Sequence, residues 1–229
     1  MQGGRYRKLQ ISFGPPTLLF ELVINYEDGT CTTVHSDNDW KYDFSPVTFN
    51  CIYGGEDYDA RREQKGWNQI GFDDSHWRPV VIQEAPKGIL RPQMAAPVKI
   101  MERYDIQKVT KLNAEQVASA SVSTKRTVDP SAFVLDMGQN LAGFPEITVR
   151  GKRGQKVTLI VAEALTDEGA CNQRQTGRQH YYEYILKGEG DETWHPRFSY
   201  YGFRYIQVEG AVLKLSLIHI SEPTRHAQI

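Results

Sequence analysis

Residues 133–210 read FVLDMGQNLAGFPEITVRGKRGQKVTLIVAEALTDEGACNQRQTGRQHYYEYILKGEGDETWHPRFSYYGFRYIQVEG, and the alternation within them decides the fold. Ile147 and Val149 share one face of a strand, with Glu146, Thr148 and Arg150 on the other. Gly151 and Gly154 bracket a turn. Val157, Leu159, Val161 and Glu163 then fall on one face of the next strand, because successive side chains point to opposite sides of a sheet. Tyr182, Tyr184 and Leu186 make a third set, and Arg204, Ile206 and Val208 a fourth. Strands at this spacing, separated by glycine turns, predict an all-β sandwich.

Upstream the same class continues. Thr17 to Tyr26 (TLLFELVINY) is an apolar run of strand length. Asp28-Gly29 signals a tight turn, and Thr30 to His35 returns as a second strand, which together predict a hairpin. Val47 to Tyr53 is a further strand candidate. Asp73 to Trp77 predicts a turn closed by a buried tryptophan, and Val117 to Ser123 predicts a plain strand. Pro86, Pro92 and Pro97 mark a boundary. The expectation is two consecutive antiparallel, jelly-roll-like β-sandwiches: residues 1–90, with the first sandwich incomplete, and residues 91–212. Residues 213–229 differ in kind. Leu215 to Arg225 (LSLIHISEPTR) matches a translated sequencing-library adapter, so this tail is expected to be non-native and the natural polypeptide to continue beyond it.

The 229 residues are 40% apolar and 11% aromatic, ample for a core. Lys and Arg number 27 against 28 Asp and Glu, which gives no reason to expect nucleic acid or an anionic membrane surface as partner. No apolar run has the length of a membrane span. The first ten residues, MQGGRYRKLQ, lack the hydrophobic stretch of a secretion signal, and the compartment stays open between periplasmic or secreted and cytoplasmic. Cys31, Cys51 and Cys171 are too sparse for a disulfide framework or a zinc site, and the six histidines lack metal-ligand spacing.

Two groups of acids invite chemistry. Asp136 and Glu163 resemble the carboxylate pair that glycoside hydrolysis needs. However, Glu163 ends an apolar face, where a charge requires a partner. Arg204 also sits on an apolar face, so a structural ion pair of Arg204 with Glu163 or Asp136 is the expected arrangement. Glu56, Asp57 and Asp59 follow Gly54-Gly55. They suit either a solvated acidic turn with Arg61 pairing locally, or a loop of oxygen ligands for a hard cation or a sugar. Among the tryptophans, mostly expected in the core, Trp77 follows an acidic turn and is the best candidate platform for a pyranose ring.

The ordered segments resemble bacterial α-L-rhamnosidases of glycoside hydrolase family 78. They are Tyr26-Glu27-Asp28-Gly29, Ser36 to Lys41, Gly55 to Arg61, Gly66-Trp67, Phe72 to Trp77, Asp136 to Asn140 with Gly143, Ala162 to Leu165, Tyr184 to Gly188, Trp194 to Phe198 and Gly202 to Tyr205. The resemblance covers about Leu19 to Gly210. It implies the accessory β-sandwiches that precede a catalytic (α/α)6 barrel, with the barrel and its inverting acid–base carboxylates outside this chain. The implied partners are rhamnose-containing glycans or glycosides and the missing barrel. In some members the first domain binds rhamnose with calcium, which carries over to Glu56, Asp57, Asp59 and Trp77. No other cofactor is implied. The chain alone is expected to be inactive and prone to association through unpaired strand edges and exposed aromatics.

Overall fold

The structure is a computed structural model that describes residues 17–84, 88–89, 91, 93–119, 132–176 and 179–210, and the backbone alone at 212–213 and 219–223. In chain order the elements are β1 (Glu21–Asn25), β2 (Cys31–His35), β3 (Lys41–Tyr42), β4 (Val47–Cys51), β5 (Gly55–Asp59), β6 (Arg78–Pro79), β7 (Ile100–Tyr104), β8 (Lys108–Lys111) and α1 (Ala114–Ser119). There follow β9 (Phe133–Arg150), β10 (Lys156–Ala162), β11 (Ala164–Leu165), β12 (Cys171–Asn172), β13 (Tyr182–Ile185), β14 (Asp191–Trp194), β15 (Tyr201–Glu209), β16 (Val212–Leu213) and β17 (His219–Pro223). The fold is nearly all β and mostly antiparallel.

Two compact units form, one from residues 17–44 and 64–95, the other from residues 45–63 and 96 onward. Strand pairing thus divides the chain differently from a linear boundary near residue 90. The cause is the β4–β5 hairpin: β5 pairs in parallel with β13, with Asp57 opposite Glu183 and Asp59 opposite Ile185. A strand belongs to the sheet that satisfies its backbone groups, whatever its place in the sequence.

In the smaller unit β1 and β2 pair from Glu21–His35 to Asn25–Cys31, as the hairpin reading expects. The Gly29 N–H donates to the Tyr26 carbonyl and Gly29 takes φ +83°. This is a type I turn closed by a left-handed glycine. The Asp28 carboxylate accepts from the Thr30 N–H at 2.9 Å, fixing the turn.

In the larger unit the sheet runs β4-β5-β13-β10-β15-β9, and β8 also pairs with β9. The long β9 pairs with β15 and β8 over its first half and with β14 and β16 within its last four residues, so one strand serves two sets of neighbours. Between them, β17 joins β9 to β7, so the tail from His219 to Pro223 is a paired strand. The core joins Val157, Leu159, Val161, Tyr182, Tyr184, Leu186, Ile147, Val149, Ile206 and Val208, the faces the alternation picks out.

Three local expectations change. β10 is buried on both faces, because Ile160 and Ala162 pack under Cys171 and Tyr181. The expected strand over 117–123 gives way to α1, and its last four residues lie outside the described ones. Here Asn113 and Gln116 exchange side-chain-to-backbone bonds of 2.9 Å, a reciprocal cap that outweighs the apolar alternation. Finally, β15 slips register against β9 between Phe203 and Tyr205. The bulge turns Phe203 into the core beside Ile206 and Val208 and leaves Arg204 only half-buried.

Candidate functional site

Gly55 to Asp59 is not a loop. All five residues are buried in β5, and strand geometry sends Glu56 and Tyr58 to one side and Asp57 and Asp59 to the other. The three acids therefore do not converge on one cation. Among the described residues no group of three or more His, Cys, Asp or Glu side chains is placed to hold a metal. The expected calcium loop and the solvated acidic turn are both corrected by this burial.

Each acid has its own structural task. The Glu56 carboxylate accepts from the backbone N–H of Arg197 and of Phe198, each at 3.2 Å, and from Asn50 Nδ2 at 3.2 Å. Burial pushes its pKa up, and these donors oppose the rise. Asp59 takes a bidentate bond from Arg61, both at 2.8 Å, and accepts the Arg61 N–H to start a 3₁₀ turn. Its pKa is lowered first by that side-chain bond. Asp57 faces away from Glu56 and is 6% exposed.

Arg204 meets Asp136 with two bonds, Nε to Oδ1 at 2.8 Å and Nη2 to Oδ2 at 3.0 Å. Glu163 is not the partner. β10 ends at Ala162, and Glu163 is exposed with its carboxylate on Asn140 Nδ2 at 2.9 Å. Asp136 and Glu163 are each held by a neighbour of this kind, and Asp136 also accepts the Gly138 N–H at 2.7 Å. The Arg204 bond holds the Asp136 carboxyl below its ordinary pKa. Such a pair stabilises above the unfolded carboxylate range and loses its effect as pH falls through the lower folded value. Arg204→Met should therefore lower stability slightly at neutral pH, an effect kept small because the guanidinium is partly solvated. The gap from wild type should close on acidification, as read by urea unfolding across pH.

Trp77 belongs to the smaller unit. It is half-buried rather than fully buried, and its Nε1 donates to Gln64 Oε1 at 2.8 Å. Phe72 packs edge-on against it at 5.7 Å between ring centroids. Beside it lies an open depression of about 620 Å³ whose lining includes Gln64, Gln69, Ile70, Phe72, Asp73 and His76. Of the other tryptophans, Trp194 is core, Trp40 packs at a tilt against Phe20 and Trp67 is exposed. The site residue that sequence reasoning missed is Glu56 in its actual role. The glycine pair before it was the available signal, since Gly55 takes φ +98° and a Cβ there would sit 1.9 Å from the Tyr181 carbonyl oxygen.

Residues 1–102 match the family described as the α-L-rhamnosidase N-terminal domain, and residues 126–221 match the bacterial α-L-rhamnosidase concanavalin-like domain. An α-L-rhamnosidase of Formosa agariphila is 35% identical over 212 residues, covering 89% of this chain and 20% of that protein. One of Streptomyces avermitilis is 35% identical over 225 residues, covering 93% and 20%. Among solved structures, the α-L-rhamnosidase of Dictyoglumus thermophilum superposes with a TM-score of 0.76 at 32% identity, covering 89% of this chain and 22% of that one. That of Streptomyces avermitilis, solved in complex with L-rhamnose, gives a TM-score of 0.73 at 33% identity, covering 89% and 19%. The chain spans about a fifth of the length of the curated relatives it matches. With both domains matched in order and the fold shared, the chain belongs to the bacterial α-L-rhamnosidase family, of which it carries the N-terminal and concanavalin-like domains.

Proposed function

We propose that this chain is the accessory β-sandwich portion of an enzyme that hydrolyses terminal α-L-rhamnosides, and that it supports a catalytic polypeptide rather than performing the chemistry. The observation that carries this reading is the employment of its acids. Glu56, Asp59 and Asp136 are each bonded to backbone N–H groups or to an arginine of their own chain. Glu192 is also buried and accepts from Tyr184 and from the Lys187 and Gly188 N–H groups. A glycosidase acid must instead face a sugar, with a second carboxylate across the scissile bond. The match to two accessory domains at a fifth of the relatives' length supports the same reading. The whole enzyme would act on rhamnose-containing glycans or glycosides, and its catalytic barrel would be the partner of this portion.

A second reading, a sugar-binding module, draws on the depression beside Trp77 in the smaller unit. Two measurements decide. The purified chain should release no rhamnose from an aryl α-L-rhamnoside above a blank, and turnover that co-purifies with the chain would overturn the scaffold reading. Calorimetric titration with L-rhamnose, with and without calcium, should show no heat of binding. Saturable binding in either condition would favour the sugar-binding module.

A further inference from the structure

The β4–β5 hairpin is covalently part of the N-terminal region and structurally part of the other sheet. The chain enters it from residue 44, leaves it at residue 64, and rejoins the larger unit only at residue 96. The described residues between Val81 and Lys99 carry no strand or helix, and the sequence there contains Pro86, Pro92 and Pro97. Docking rests on a short parallel pairing of Asp57, Tyr58 and Asp59 with Glu183, Tyr184 and Ile185. Parallel pairing over three residues is weak in itself. Specific contacts supplement it.

Those contacts amount to a recognition code. The Tyr181 N–H donates to the Gly54 carbonyl, and its own carbonyl leaves room only for glycine at position 55. The N–H groups of Arg197 and Phe198 receive the carboxylate at position 56. The stacked rings of Tyr184 and Trp194 receive the aromatic ring at position 58, at 5.8 and 6.0 Å between centroids. The partner that fits is a strand reading Gly-Glu-x-Tyr, bound by addition to a sheet edge.

We infer that the β13 edge is a strand-acceptor site, and that it takes the β4–β5 hairpin of a second copy of this chain as well as its own. Every contact named above is reproduced when the hairpin comes from another molecule. Among the described residues, the connection that must take a different path is the one between Val81 and Lys99, which is the geometry of domain exchange. Dimers form when chains fold at high concentration, because the acceptor edge is then completed by whichever hairpin arrives first.

The test uses the full chain. Two preparations carrying donor and acceptor fluorophores are unfolded together and refolded at high concentration. The expected result is a dimer with energy transfer, on size exclusion with light scattering, that persists after dilution under native conditions. A synthetic peptide of residues 45–63 present during refolding should abolish it, and the same peptide with Gly55→Ala and Glu56→Ala should not. Absence of the dimer, or a dimer that forms equally with the native peptide present, overturns the proposal.

Discussion

Glu56→Ala is expected to lower the unfolding free energy by about 2–3 kcal/mol, because it removes at once the shared acceptor of three part-buried hydrogen bonds. The Arg197 and Phe198 N–H groups and Asn50 Nδ2 all end on this carboxylate, and Glu56 itself is fully buried. Neither a methyl group nor the neighbouring side chains can replace the oxygens. The segment from His195 to Tyr200 should loosen first, so hydrogen exchange at the Arg197 and Phe198 amides should accelerate beyond the global change. Unchanged exchange at those two amides would show that the carboxylate does not hold this segment.

Glu56→Gln separates charge from hydrogen bonding. Burial raises the folded pKa of Glu56 above its unfolded value. Between the two values the folded state binds a proton that the unfolded state does not, so stability falls as pH rises through that window. The amide variant lacks this titration. Its deficit against wild type should therefore narrow as pH rises from the unfolded carboxyl range through the raised folded value, in urea titrations at a series of pH values.

Trp194→Ala should also remove about 4 kcal/mol, since it empties the largest ring of an aromatic cluster. Trp194 is 6% exposed, stacks on Tyr184 at 5.3 Å and meets Tyr58 and Tyr182 at 6.0 and 6.4 Å. Trp194→Phe should be milder, about 1–2 kcal/mol. The indole Nε1 finds no hydrogen-bond partner among the described residues, so its loss leaves nothing stranded. Trp40, Trp67 and Trp77 all lie in the smaller unit, so Trp194 emission reports the larger unit alone. Equal losses for the alanine and phenylalanine variants would mean that the indole N–H, not the ring volume, matters.

The strands of the larger unit were largely legible. Val157, Leu159 and Val161, and Tyr182, Tyr184 and Leu186, declare their inward face by period two alone, and all are core. The β1–β2 hairpin was legible for the same reason, with Asp28-Gly29 supplying the turn. The carboxylates were not. Gly54 to Arg61 reads as a solvated turn or a ligand loop because acids rarely form a buried strand. Here the charge of Glu56 is met by amides from the segment after β14, far along the chain. Simple alternation puts Arg204 on a core face, and a register slip against β9 is invisible without the partner strand.

By itself, then, the sequence determined the β class, the positions of the turns and which stretches have an apolar face, since each depends on the chemistry of neighbouring residues. Tertiary structure decided which sheet receives β5, where Arg204 points and what surrounds each acid. Those outcomes depend on backbone donors and acceptors brought together from distant segments, and the pairing that joins them is set by what stands opposite rather than by what lies next in the chain.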